Sequence, residues 1–166
     1  LVDSEVMLNI LSNNSYRLTQ DTSKADIIIV NTCGFIESAK QESVDNIIEL
    51  GQYKETGNCK VLIASGCLAE RYKEDLMKEM PELDAVIGTG DYKNILEVIE
   101  SAMGGSKVVK FGNQEAVDIH ELPRVISTAA ASAYLKIAEG CDNRCTYCII
   151  PTLRGKYRSR KFEDII

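Results

Sequence analysis

Asp26-Ile27-Ile28-Ile29-Val30-Asn31-Thr32-Cys33-Gly34 is the stretch that decides the fold. Four consecutive β-branched aliphatics leave no polar face, which is the pattern of a short strand buried on both sides, as in a parallel sheet. The signal recurs at Val61-Leu62-Ile63-Ala64 and at Asp84-Ala85-Val86-Ile87. Between these runs the apolar period changes to that of a helix. Ile36, Ala39, Val44, Ile47 and Ile48 mark a helix of about four turns that Gly51 should end. Leu68, Tyr72 and Leu76 mark a second, ended by Pro81, and Ile95, Leu96, Ile99 and Met103 a third, stopped by Gly104-Gly105. Upstream, residues 3–12 read as a helix with Val6, Met7, Ile10 and Leu11 on one face and a stop at Asn13-Asn14. Strands alternating with helices predict a doubly wound α/β domain with a parallel sheet. The opening helix is expected to follow a strand lying before Leu1.

Downstream of the third helix the signals weaken. Val108-Val109 and Val117 fit short strands, while Pro123 and its polar flanks read as a linker. The run Ala129-Ala130-Ala131 suits a helix or a loop equally. Tyr134-Leu135-Lys136-Ile137-Ala138 is strand-like, and a helix is expected to open near Phe162. The organisation that results is an N-terminal domain over 1–111, a linker over 112–133 and the start of a second domain over 134–166. Both ends read as cut, since Leu1 falls inside an element and Ile166 closes the chain just as a helix begins.

With 45% apolar and 27% charged residues in 166, the chain has the composition of an ordinary soluble protein able to build one good core. No apolar run approaches membrane-spanning length and nothing reads as a signal peptide, so a cytoplasmic location is expected. The net charge of −6 argues against a protein that coats nucleic acid. Residues 136–166 nevertheless hold seven basic side chains against four acidic ones, leaving −9 on the other 135 residues. Arg154, Arg158 and Arg160 in that basic end read first as solvated surface, with contact to a substrate or to acidic partners as the alternative.

Six cysteines without a secretion signal point to metal or redox chemistry rather than disulfides. Cys141, Cys145 and Cys148 lie at C-x-x-x-C-x-x-C spacing within Glu139-Gly140-Cys141-Asp142-Asn143-Arg144-Cys145-Thr146-Tyr147-Cys148. Three thiolates on one short loop can hold three irons of a four-iron cluster and leave the fourth without a protein ligand. An open metal position is what separates a catalytic site from a structural one. Cys33 and Cys67 each end a predicted strand. In a doubly wound sheet the strand C-termini share one edge, where ligands bind. Helices follow both cysteines, so each thiolate is expected to face a helix N-terminus that lowers its pKa, with Gly34 and Gly66 allowing close backbone approach. The alternative for each is a small buried apolar side chain. Cys59 precedes its strand, belongs at the opposite edge and is not expected to be a ligand. Asn31 and Thr32 are expected to cap the following helix. His120, the only histidine, sits in the linker-like stretch and no metal role is expected of it.

Together these residues resemble the methylthiotransferase family of radical S-adenosylmethionine (SAM) enzymes. Three stretches carry the resemblance: Asn31 through Ser43 (NTCGFIESAKQES), Gly66 through Tyr72 (GCLAERY), and Tyr134 through Arg160. Gly34-Phe35-Ile36 and Arg154-Gly155-Lys156-Tyr157-Arg158-Ser159-Arg160 are most similar to the branch that modifies an aspartate of a small-subunit ribosomal protein. The alternatives kept open are a tRNA adenosine methylthiotransferase and a non-enzymatic iron–sulfur or zinc-binding module.

The resemblance implies two 4Fe-4S clusters. Cys141, Cys145 and Cys148 match the three ligands of the SAM-binding cluster. Cys33 and Cys67 match two ligands of an auxiliary cluster whose third lies upstream of Leu1. It further implies a (β/α) barrel of which 134–166 would be the first βα unit. Reductive cleavage of SAM would release a 5′-deoxyadenosyl radical that takes hydrogen from the aspartate β-carbon, a carbon too weakly acidic for a general base. The auxiliary cluster would supply the methylated sulfur. Tyr147 would place its ring by the SAM adenine or pack under its loop. The implied partners are the ribosomal protein, the ribosome that carries it and a reducing electron donor. With most of the barrel absent, this piece alone is not expected to turn over.

Overall fold

The computed structural model describes residues 1–113, 122–129 and 131–166. Each apolar run becomes a strand. β1 (Ile27–Thr32), β2 (Val61–Gly66), β3 (Ala85–Ile87) and β4 (Val108–Lys110) form a parallel sheet in the order β1-β2-β3-β4. Because successive side chains of a strand point to opposite faces, the continuous runs supply two apolar surfaces at once. Ile28, Val30, Leu62, Ala64 and Val86 face one way, against Ile47 of α2 (Glu37–Gly51, followed by α3, Tyr53–Thr56), Leu68 and Ala69 of α4 (Cys67–Tyr72), and Leu76 of α5 (Glu74–Glu79). Ile27, Ile29, Val61, Ile63, Ala85 and Ile87 face the other way, against Val6, Met7 and Leu11 of α1 (Val2–Asn13) and Val98 and Ile99 of α6 (Ile95–Met103). The expected α/β architecture, a parallel sheet with helices on both faces, is present. Ile47, Leu62 and Ile63 are wholly buried, and burial of each such side chain contributes about 2 kcal/mol.

Gly51 is the last residue of α2, as expected, and a separate short helix, α3, follows after Gln52. Two helix expectations are corrected. The helix through Leu68, Tyr72 and Leu76 is two helices. Lys73 takes a left-handed conformation (φ 49°) and breaks it, so Tyr72 turns partly to solvent while Leu68 and Leu76 stay in the core. The strand-like run 134–138 is extended but mostly exposed. Only Ala138–Glu139 (β5) forms a strand, paired antiparallel with Arg158–Ser159 (β6) across the intervening α7 (Ile150–Arg154). Tyr134, Leu135 and Ile137 are exposed. A single 3-10 turn at Phe162–Asp164 stands where a helix was expected.

The linker-like stretch is tied down. Buried Glu5 of α1 accepts hydrogen bonds from the Ser127 amide (2.9 Å) and hydroxyl (2.8 Å) and from Arg124 (2.8 Å). Those bonds hold its carboxyl below the usual glutamate range, the Ser127 amide contributing most. Val117, His120 and Ala130 lie outside the described residues. Among the described residues no helix is long and apolar enough to cross a membrane.

Candidate metal centre

Thr32 and Gly66, the last residues of β1 and β2, are paired across the sheet, so Cys33 and Cys67 emerge side by side from neighbouring strands. Backbone sterics make this closeness possible. Gly66 has φ 105°, and a Cβ there would lie 2.6 Å from the Thr32 carbonyl oxygen. A Cβ on Gly34 would lie 2.7 Å from the Cys67 carbonyl oxygen. The Cys33 amide donates to the Ser43 hydroxyl of α2 (3.0 Å), and Arg71 of α4 donates to the Gly34 carbonyl (3.0 Å). Both bonds hold the Cys33-Gly34 loop, one from the helix that follows it and one from the helix of the neighbouring unit, whose first residue is Cys67.

The expected caps fall elsewhere. The Thr32 hydroxyl donates to the Ser65 carbonyl (2.7 Å) and accepts from the Ala69 amide (3.4 Å), so it caps α4 of the neighbouring unit rather than α2. Asn31 donates to the Ser4 hydroxyl of α1 (2.7 Å). The predicted acidic thiol is also corrected at Cys67. Burial pushes the Cys67 thiol up, and Arg154 opposes that only in part. Cys67 is 2% exposed, and α4 is six residues long, too short for its dipole to outweigh the loss of water. Cys59 sits ahead of β2 at the opposite edge, buried, its thiol directed to the Val61 carbonyl (3.5 Å).

The loop carrying Cys141, Cys145 and Cys148 is folded against the same sheet edge. The Cys141 amide donates to the Gly155 carbonyl (3.1 Å), and the Cys148 amide donates to the Cys145 carbonyl (3.0 Å), closing a turn. Cys145 is exposed; Cys141 and Cys148 are half-buried. α7 anchors the loop: Leu153 is fully buried, and its carbonyl accepts from Thr89 (2.8 Å), whose amide donates to buried Glu70 of α4 (2.9 Å). A cleft of about 450 Å³ lies between the two parts, lined by Phe35, Lys40 and Arg71 on one side and Thr146, Tyr147 and Cys148 on the other. Tyr147 does not pack under its loop; the residue is 91% exposed and lines the cleft.

The arginines are not a solvated surface. Arg160 is buried and donates to the Lys136 carbonyl (3.0 Å). Arg158 is partly buried and donates to the carbonyls of Lys156 (3.2 Å) and Arg154 (3.3 Å). Arg154 donates to Asp3 and Glu139 (3.1 Å each) and, through Nε, to the Cys67 sulfur (3.3 Å). Lys136 completes the cluster by pairing with Asp3 (2.8 Å) and Glu139. Burial works against the charged forms of both Asp3 and Lys136. Their opposite-charge partners outweigh it, holding the Asp3 carboxyl below and the Lys136 ammonium above their ordinary ranges. Sequence reasoning missed Asp3, Lys136 and Glu139. Asp3 lies 151 residues from Arg154, and no spacing rule reaches that far.

Among the described residues no three His, Cys, Asp or Glu side chains already converge as a metal site. The five candidate ligands instead form two stations, a pair at the sheet edge and a triplet on the loop, all with free thiols.

Residues 1–88 match the profile of the uncharacterized protein family UPF0004. The chain belongs to this family. The match spans α1 through β3, and so includes both strand-end cysteines. Over its full length the chain is also 58% identical to a protein of Clostridioides difficile (strain 630) named "Ribosomal protein uS12 methylthiotransferase RimO". Proteins of the same name from Thermoanaerobacter sp. (strain X514) and Acetivibrio thermocellus are 54% and 52% identical over 99% and 100% of the chain. The expected likeness to methylthiotransferases is borne out by these names. The chain spans 37 to 38% of the length of these relatives.

Proposed function

We propose that this chain is the cluster-bearing portion of a radical SAM methylthiotransferase that adds a methylthio group to the β-carbon of an aspartate in ribosomal protein uS12. The observation that carries the reading is the division of five free thiols into a pair at the sheet edge and a triplet on the loop, with Cys148 of the triplet lining the cleft between the two parts. The donor set fits the groups the reading requires, since soft thiolates are the ligands of iron–sulfur clusters. Cys141, Cys145 and Cys148 would hold a cluster with one open iron, and Cys33 and Cys67 would contribute to a second, with 1–111 as the N-terminal domain, 112–133 as the connection and 134–166 as the start of the SAM domain. When bound, these groups and SAM supply the radical and the sulfur that protein side chains cannot.

The chain's own residues position and shield. Gly34 and Gly66 let the two strand-end thiols sit side by side. Tyr147, which lines the cleft, offers an exposed aromatic face for the adenine. Arg71 and Lys40, the latter paired with Glu37 of the same lining, bring cationic groups to the cleft, suited to a carboxylate such as that of SAM or the substrate aspartate.

The test is anaerobic reconstitution of the full-length protein with iron and sulfide, followed by SAM and a reductant. The reading expects iron rather than zinc, 5′-deoxyadenosine as product, and methylthiolation of a uS12 peptide. Zinc without 5′-deoxyadenosine contradicts the enzyme reading, and a modified tRNA with an unmodified peptide contradicts the substrate.

A further inference from the structure

We propose that Arg154 is a positioning residue for the cluster at the sheet edge, through which the docked loop raises that cluster's reduction potential; the inference rests on the cluster reading above. Arg154 is the last residue of α7, six positions beyond Cys148, yet its Nε–H points at the sulfur of Cys67 at 3.3 Å. A clamp between the two parts of the chain would not need this bond. Nη1 alone binds both Asp3 and Glu139, and Lys136 bonds the remaining oxygens of the same carboxylates. Two carboxylates and two cations therefore balance one another, fix the guanidinium plane and leave Nε directed at sulfur. A guanidinium stays protonated at every working pH, so both the donor and the charge are permanent.

Hydrogen bonds to ligand sulfur and nearby positive charge both favour the reduced, more negative form of an iron–sulfur cluster, and so raise its potential. Cys67 is almost fully buried, where such a charge is poorly screened. Because Arg154 belongs to the element that anchors the Cys141–Cys148 loop, undocking that loop would withdraw the cation from Cys67. The properties of the sheet-edge station are thereby linked to the placement of the other.

The experiment uses the full-length protein carrying Cys141→Ala, Cys145→Ala and Cys148→Ala, so that only the sheet-edge cluster is loaded. Its midpoint potential is measured by an EPR-monitored titration, with Arg154→Gln and Arg154→Lys compared in the same background. Arg154→Gln is expected to move the potential to more negative values, and Arg154→Lys, which keeps the charge, to restore most of the shift. A loaded cluster whose potential is unmoved by Arg154→Gln overturns the inference, as does a lysine variant that shifts as far as the glutamine one. Should Arg154→Gln not fold, Arg154→Met is read in its place: a potential more negative than the parent's supports the inference, and one equal to it overturns it. A parent that takes up no iron contradicts the cluster reading itself, and the inference with it.

Discussion

At the scale of single residues, polar side chains near the cysteines work across elements rather than within them. Thr32 satisfies the Ala69 amide at the start of α4 from the neighbouring strand. Replacing it with valine keeps the shape and removes both hydrogen bonds, and is expected to cost about 1 kcal/mol, measured by urea unfolding. Asp3 shows the opposite balance, a charge held in place by charges. Its folded-state pKa is depressed, so its contribution is fully present above the unfolded value of about 4 and is lost as pH falls through the folded value. Asp3→Asn should therefore be less stable than the parent at pH 7. The gap should close below about pH 4 in denaturant titrations across pH; a gap unchanged at pH 3 would contradict the network.

At the scale of elements, the parallel sheet was legible because four-residue apolar runs cannot be half-exposed without cost. Ile27–Val30 and Val61–Ala64 are neighbouring parallel strands. The sheet-edge placement of Cys33 and Cys67 followed from that topology. The break at Lys73 was not legible, because the i, i+4, i+8 pattern of Leu68, Tyr72 and Leu76 holds whether or not one residue between them leaves the helix. The run at 134–138 misled for a related reason: β-branched and aromatic residues report extended backbone, and pairing needs partners that only β6 supplies, over two residues. The tie between α1 and residues 124–127 was also invisible in sequence, since it depends on one buried carboxylate. Glu5→Ala leaves Arg124 and the Ser127 amide without their acceptor and is expected to cost about 3 kcal/mol. Thermal unfolding checks this, and a change within 0.5 kcal/mol, the ordinary range for a surface substitution, would show that the tie is not formed.

At the scale of the whole molecule, the sheet and the cysteine loop are joined by Leu153 and Thr89 and by the cluster of Asp3, Lys136, Glu139 and Arg154. The loop's spacing carries a family resemblance, but only the fold shows that Thr146, Tyr147 and Cys148 face the same cleft as Phe35 and Arg71. In the proposed function the five thiols serve two separate clusters. Iron analysis of the reconstituted full-length protein distinguishes two clusters from one, comparing the parent with Cys33→Ala/Cys67→Ala and with Cys141→Ala/Cys145→Ala/Cys148→Ala. Each variant is expected to lose about half of the iron and keep the rest, as two independent four-iron sites require. Loss of all the iron in either variant would mean that the thiols share one site, and would contradict the account.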